Sequence, residues 1–245
     1  MAVRKQFVFD GKSSIDLGCY TTGTSTYNSS SVSQSKTSVP GRNGDLILSN
    51  DRFENDSYAV KIGILGPGEN AFHLKVRELR SFLLSRKGYC RYEDDYHPDE
   101  YRMAQFVGPI TFDENLLIAG EATLTFDCKP QHFLKSGEEV IEFTKNGVIE
   151  NPTYFESRPL LRVYGFGTLN VGEGIFEIKE HNFDYVDLNC DTWDAYHDTD
   201  NLNENVTVHK NGTLHIYPGL EPGKNEIELG SGITKVEIKP NWYML

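Results

Sequence analysis

The sequence predicts a mainly β chain of two domains, on three observations: short alternating runs broken by turn residues, a solitary amphipathic helical pattern, and a change of charge balance near residue 135. The strand-like runs are residues 5–9, 45–48, 58–65, 101–107, 116–127, 139–144, 160–164, 175–180, 185–189, 206–209, 214–217, 226–229 and 234–238. Many alternate apolar with polar positions and end at Gly, Asn, Pro or Asp, as half-buried antiparallel strands do. Turn signals about every ten residues favour sandwiches over a parallel sheet.

The helical pattern covers residues 70–87, where Phe72, Val76, Leu79 and Leu83 form one apolar stripe. Asn70, following Gly66-Pro67-Gly68, is the expected N-cap, and Arg86 and Lys87 before Gly88 suit a C-terminus. Lys75, Arg77, Arg80, Arg86 and Lys87 against Glu78 make this a basic element in an acidic chain. Residues 21–38 are rich in Ser, Thr and Asn and read either as an exposed edge strand or as a loop. Gly11-Lys12 and Asn146-Gly147 read as hairpin turns, and the domain boundary is placed between residues 130 and 137, giving domains 1–135 and 136–245.

Composition narrows the function. With 245 residues, 38% of them apolar and 12% aromatic, the chain has enough to bury a sizeable core. The opening residues hold no apolar run of signal-peptide type, and no stretch approaches the roughly 18 uncharged residues of a membrane span. Synthesis and assembly in a cytoplasm, with no membrane partner, are therefore expected. Cys19, Cys90, Cys128 and Cys190 are scattered singly and read as reduced core thiols. Residues 1–134 carry 15 Lys and Arg against 17 Asp and Glu, whereas residues 135–245 carry 9 against 19, within a net charge of −12. That balance argues against a binder of nucleic acid or anionic membrane, since both attract through clustered cations.

Patterns of catalysis are missing. There is no G-x-S-x-G elbow, and Gly165-Phe166-Gly167 runs into Thr168-Leu169-Asn170 without a further glycine, so it reads as a turn. His209 and His215 and the acidic series Asp184, Asp187, Asp191, Asp194, Asp198 and Asp200 lack the spacing of a zinc site or an EF-hand. They read as polar strands and loops, with a weak Ca²⁺ site at Asp198, Asp200 and Asn203 as the alternative. Carboxylate pairs for glycoside hydrolysis cannot be told from solvent-facing Glu177, Glu226, Glu228 and Glu237. No enzyme, cofactor or metal is expected.

Five segments resemble the distal tail proteins of siphophages. They are Val39-Pro40-Gly41-Arg42-Asn43-Gly44-Asp45-Leu46, then Gly88-Tyr89-Cys90-Arg91-Tyr92-Glu93-Asp94-Asp95-Tyr96-His97-Pro98-Asp99-Glu100-Tyr101-Arg102, then Phe126-Asp127-Cys128-Lys129-Pro130-Gln131, and, later, Pro159-Leu160-Leu161-Arg162-Val163-Tyr164-Gly165 with Pro222-Gly223-Lys224-Asn225-Glu226-Ile227. The chain departs from the family at Pro240-Asn241-Trp242, where Pro-Arg-Trp is common. The resemblance implies an N-terminal β-sandwich with one α-helix and a projecting β-hairpin, followed by a galectin-like, jelly-roll type β-sandwich. It implies a homo-hexameric ring, single or in stacked pairs, that joins the major tail tube protein to tail-associated or baseplate proteins and the receptor-binding protein. DNA would pass through without specific binding, and the protein would sit at the virion tail tip or baseplate.

The expected oligomer interface takes in Pro40, Gly41, Arg42, Asn43, Gly44 and Asp45 as a shaped turn, with Lys75, Arg77 and Arg80 of the basic helix. Tyr89, Tyr92, Glu93, Asp94, Asp95, Tyr96 and Tyr101 join them, because rings mixed with charges suit an interface better than a core. The basic helix is expected to face a neighbouring subunit or the outside of the ring, meeting Glu93, Asp94 and Asp95. The alternative function is a carbohydrate-binding adhesion module. Against it, His181-Asn182-Phe183-Asp184 lacks the arginine of a galectin sugar site, and Trp193 is followed by Asp194 and Ala195 without the glycine.

Overall fold

The computed structural model describes residues 5–23, 28–115, 118–210, 213–214 and 217–245. His215 and parts of the runs expected at 21–38, 116–127 and 214–217 lie outside the described residues. The chain divides into two compact units, Met1–His132 with Leu245, and Phe133–Met244.

In the first unit the strands join edge to edge in the order Lys12–Ser13, Phe7–Phe9, Cys90–Asp94, Glu100–Phe106, Ala119–Leu134, Asp56–Leu65, Cys19–Thr21. Its spine is the antiparallel pair of Asp56–Leu65 with Ala119–Leu134, in register from Ala119 opposite Leu65 to Cys128 opposite Asp56. Tyr58, Val60, Ile62 and Ile64 point to the core from one strand and Ala122, Leu124, Phe126 and Cys128 from the other, with exposed or half-buried positions between them except at the buried Gly63. Period-two alternation of this kind pins a register, because a slip of one residue would turn every apolar side chain to water.

The helix Glu69–Ser85 closes that core with Phe72, Leu79 and Leu83, and Val76 packs beside them, so the stripe read from sequence is the buried face. Its start differs from expectation. Asn70 lies inside the first turn, and the N-cap is Gly68, with no side-chain cap. The chain enters the helix too tightly for a longer residue: a Cβ on Gly66 would sit 2.6 Å from the backbone nitrogen of Phe72. At the other end Arg86 leaves the helix in an extended conformation and pairs with Asp10, Nε to Oδ2 at 3.0 Å.

Both expected hairpin turns are corrected. The first is Asp10-Gly11, one residue earlier than read, because Phe9 pairs with Lys12. Asn146-Gly147 joins Ile141–Phe143 to Gly147–Asn151, which belong to different sheets, and the Asn146 side-chain oxygen accepts the Leu229 N–H.

The second unit is a sandwich of two six-stranded sheets. One runs Ile141–Phe143, Ile233–Lys239, Leu160–Gly165, Val186–Asn189, Asp194–His197, Asp200–Asn201; the other runs Gly147–Asn151, Gly223–Leu229, Gly167–Val171, Gly174–Ile178, Val206–Lys210, Thr213–Leu214. Leu161, Val163, Val186, Leu188, Val236 and Ile238 of the first meet Ile149, Leu169, Val171, Phe176, Val208 and Ile227 of the second in one core. Gly165-Phe166-Gly167 is the turn that carries the chain from one sheet to the other. The mainly β class expected from sequence is borne out.

Candidate functional site

The hairpin comes first, because it is the part of the first unit with the least to hold it. Val32–Thr37 pairs with Leu46–Phe53, from Val32 opposite Phe53 to Thr37 opposite Leu46, with a bulge after Ser33. The pair forms a two-stranded sheet of its own. Of the two readings left open for residues 21–38, the exposed strand holds for Val32–Thr37. At the tip Pro40, Gly41, Arg42, Asn43, Gly44 and Asp45 are all exposed. Gly41 and Gly44 take φ of +78° and +83°, with nothing within 4 Å of an added Cβ, so glycine serves conformation there and relieves no crowding. The aliphatic side chains are out in water as well: Val32, Ile47 and Leu48 are 51%, 56% and 52% exposed. A lone two-stranded hairpin is marginal in water, and Ile47 and Leu48, neighbours on one strand, leave an aliphatic side chain bare on each of its two faces. Its base is clamped to the body, where the Asn55 amide donates to Tyr89 Oη and Asp127 Oδ2 while Tyr89 Oη donates to the same carboxylate.

The tyrosine-rich acidic segment folds differently from expectation. Cys90–Asp94 is an inner strand, with Phe7 opposite Asp94 and Phe9 opposite Tyr92. Tyr92 is 1% exposed and packs on Phe7 and Phe126, so it belongs to the core and not to an interface. Asp94, also placed at the interface by sequence, is buried too. Its carboxylate accepts Tyr58 Oη at 2.8 Å and the backbone N–H groups of Tyr96 and His97 at 2.9 Å. Strand alternation turns 92 and 94 inward together, and the acids on either side hid that in the sequence. Glu93 pairs with Arg91 at 2.6 Å, and Asp95 Oδ2 accepts the Gln6 N–H. Tyr96 donates to the Gly23 carbonyl under the Lys5 ammonium, and Tyr101 lies 3.7 Å beneath the Arg91 guanidinium. All three acids expected to meet the basic helix are therefore engaged inside the unit.

The helix divides its cations. Lys75 donates to the Leu65 carbonyl at 2.7 Å, whereas Arg77 and Arg80 stand exposed, with no ion pair among the described residues. Sequence reading missed a buried ionic group. Arg102 is 2% exposed, its guanidinium 4.2 Å over the Tyr58 ring and its nitrogens 3.5 Å from Glu100 and 3.9 Å from Asp56; His132 Nδ1 lies 3.1 Å from Glu100. The available signal was parity: Arg102 shares the inward phase of Ala104 and Phe106.

In the second unit the galectin-type cluster is not brought together. His181 Nε2 lies against the Gly165 carbonyl, near the Val186 end of Val186–Asn189, while the Trp193 N–H donates to the Asn189 carbonyl at the other. Asp198 accepts the Tyr185 hydroxyl and the Asn203 side-chain oxygen accepts the Ala195 N–H. Among the described residues no group of three or more His, Cys, Asp or Glu is placed to hold a metal ion, and no helix is long and apolar enough to cross a membrane.

Comparison with known proteins bears on the unit that holds the hairpin, the helix and the inner strand. Residues 11–128 match the model of the phage tail protein RIFT-related domain. The match takes in a little under half of the chain and covers that unit. No curated protein matches the sequence. Among solved structures the chain is similar to the Dit protein of phage SPP1, described as a paradigm of the hub adsorption apparatus of phages infecting Gram-positive bacteria. The TM-score is 0.64 at 13% identity, over 98% of this chain and 99% of that one. At that identity the likeness is one of fold. A chain of the phage P2 baseplate in its activated conformation with Ca aligns at a TM-score of 0.49 and 12% identity, over 96% of this chain and 98% of that one. The resemblance to siphophage distal tail proteins read from the sequence is borne out.

Proposed function

We propose that this tail protein is a structural hub subunit. Copies join head to tail in a ring, six in number and open to a second stacked ring, between the major tail tube protein and the baseplate or tip proteins with the receptor-binding protein. Domain 1–135 builds the ring, domain 136–245 lies outside it, and DNA passes through the opening without specific contacts. The place of action is the virion tail tip or baseplate, after assembly in the host cytoplasm.

The observation that carries this reading is the hairpin Val32–Thr37 with Leu46–Phe53, whose aliphatic side chains stay about half exposed among the described residues. A neighbouring copy that takes up Val32, Ile47 and Leu48 would supply the missing burial, about 1.5–3 kcal/mol for each fully covered side chain. Heterologous contacts of this sort close into rings when the rotation permits. The interface then consists of the tip from Pro40 to Asp45, Arg77 and Arg80, and the exposed parts of Tyr89, Glu93, Asp95, Tyr96 and Tyr101. The near-neutral first domain suits a channel wall, since a lumen rich in cations would hold phosphates and stall the DNA.

Negative-stain imaging of the purified full chain tests the proposal. Closed rings with an open centre are expected. Particles of single-chain size at every concentration would overturn it.

A further inference from the structure

We propose that the outward face of the helix Glu69–Ser85 in one copy docks on the outward face of the sheet containing Gly147–Asn151, Gly223–Leu229, Gly167–Val171 and Gly174–Ile178 in a second copy. The inference rests on the reading that copies assemble, and it supplies a contact separate from the hairpin.

Two unpartnered surfaces carry it. On the helix, Leu74 and Leu84 are 61% and 63% exposed, and between them stand the exposed Arg77 and Arg80, with no ion pair among the described residues. The order along the face is apolar, basic, basic, apolar. The acids of the same unit that could have met these cations, Glu93, Asp94 and Asp95, are engaged elsewhere. On the sheet, Val148 and Ile175 are 56% and 40% exposed. Val148 lies opposite Glu226, Glu228 lies opposite Asn170, and Asn170 lies opposite Ile175. All five alternate with buried neighbours and so share the outward face. A diagonal across the sheet therefore reads apolar, acidic, acidic, amide, apolar, with Asn170 between Glu228 and Ile175.

The spacings agree. Ten residues separate Leu74 from Leu84, a rise of about 15 Å along the helix. Val148 and Ile175 are three strands apart, about 14 Å, with an offset of two residues, about 7 Å, giving a diagonal of about 16 Å. With its leucines over Val148 and Ile175, the helix brings Arg77 and Arg80 over Glu226 and Glu228. Glu228 accepts only the Asn170 amide among the described residues, and Glu226 has no ion pair there, so both carboxylates are available. A second copy is the favoured occupant because one chain carries both halves of the match, the condition for a head-to-tail contact.

Charge reversal in the full chain tests the contact, read as the dissociation constant of self-association by sedimentation at low salt, with circular dichroism as the check on folding. The variants are Arg77→Glu with Arg80→Glu, Glu226→Arg with Glu228→Arg, and all four together. Each pair of changes is expected to weaken association about tenfold or more, and the fourfold variant to recover most of it, because like charges replace opposite ones and are then made opposite again. Undiminished association in either pair, or no recovery in the fourfold variant, overturns the contact. In that event the ring reading is judged separately by the hairpin variant Ile47→Asp with Leu48→Asp. A wild-type chain that never associates overturns both.

Discussion

Asp94 gathers a tyrosine, a turn and a histidine onto one buried carboxylate: Tyr58 Oη, the N–H groups of Tyr96 and His97, and His97 Nδ1 at 2.9 Å. Asp94→Ala would leave these groups without their acceptor, and a loss of about 3 kcal/mol is expected in denaturant unfolding. Glu100 predicts a pH dependence. Burial raises its pKa, but the hydrogen bond and charge of His132, with Arg102 and His97, outweigh that and hold it below the ordinary 4.5. A carboxyl depressed in the folded state adds stability that is complete above the unfolded value and is lost as pH falls through the folded one. The first unit should thus weaken in acid below pH 4.5, and Glu100→Gln should flatten that part of the stability curve. The thiols sort by burial: desolvation pushes Cys19 and Cys128 up to about 12 and raises Cys190 further, while Cys90 is half-buried and less shifted. A thiol reagent at neutral pH is expected to label Cys90 first and the other three only on unfolding.

At the scale of elements, the entry to the helix is the tightest point. Gly66→Ala would force a Cβ against the Phe72 backbone, which has no flexible end to yield, and a cost of about 1–3 kcal/mol is expected in thermal unfolding. The helix itself was legible because Phe72, Val76, Leu79 and Leu83 repeat with the helical period, and the strand Asp56–Leu65 because its alternation holds from Asp56 to Ile62 and breaks only at the buried Gly63. Cys90–Asp94 was not, since its inward positions are a tyrosine and an aspartate whose partners come from distant strands. Val32–Thr37 is a strand by virtue of its pairing with Leu46–Phe53, and nothing in its own polar residues requires that. Arg102 escaped notice for a related reason: local pattern counts an arginine as solvated, and only the fold brings Tyr58, Glu100 and Asp56 around it. Of the proposed assembly surface, the exposed turn from Pro40 to Asp45 was legible from its glycines, whereas the bare aliphatic side chains beside it follow from a hairpin that pairs with no third strand among the described residues.

For the whole molecule, the net charge of −12 predicts no measurable affinity for duplex DNA in a filter or mobility assay even at low salt, as the proposed passage for DNA requires. The uneven charge, with 9 basic against 19 acidic residues from residue 135 onward, places most of the negative charge on the second unit, in keeping with the proposed contact of Arg77 and Arg80 with that unit of another copy. The central claim is that the hairpin makes the chain a ring former. Native mass spectrometry of the full chain beside Ile47→Asp with Leu48→Asp tests it most directly. A closed oligomer of six copies for the wild type and a folded monomer for the variant is the predicted result. The same mass for both, whether monomer or oligomer, would contradict it.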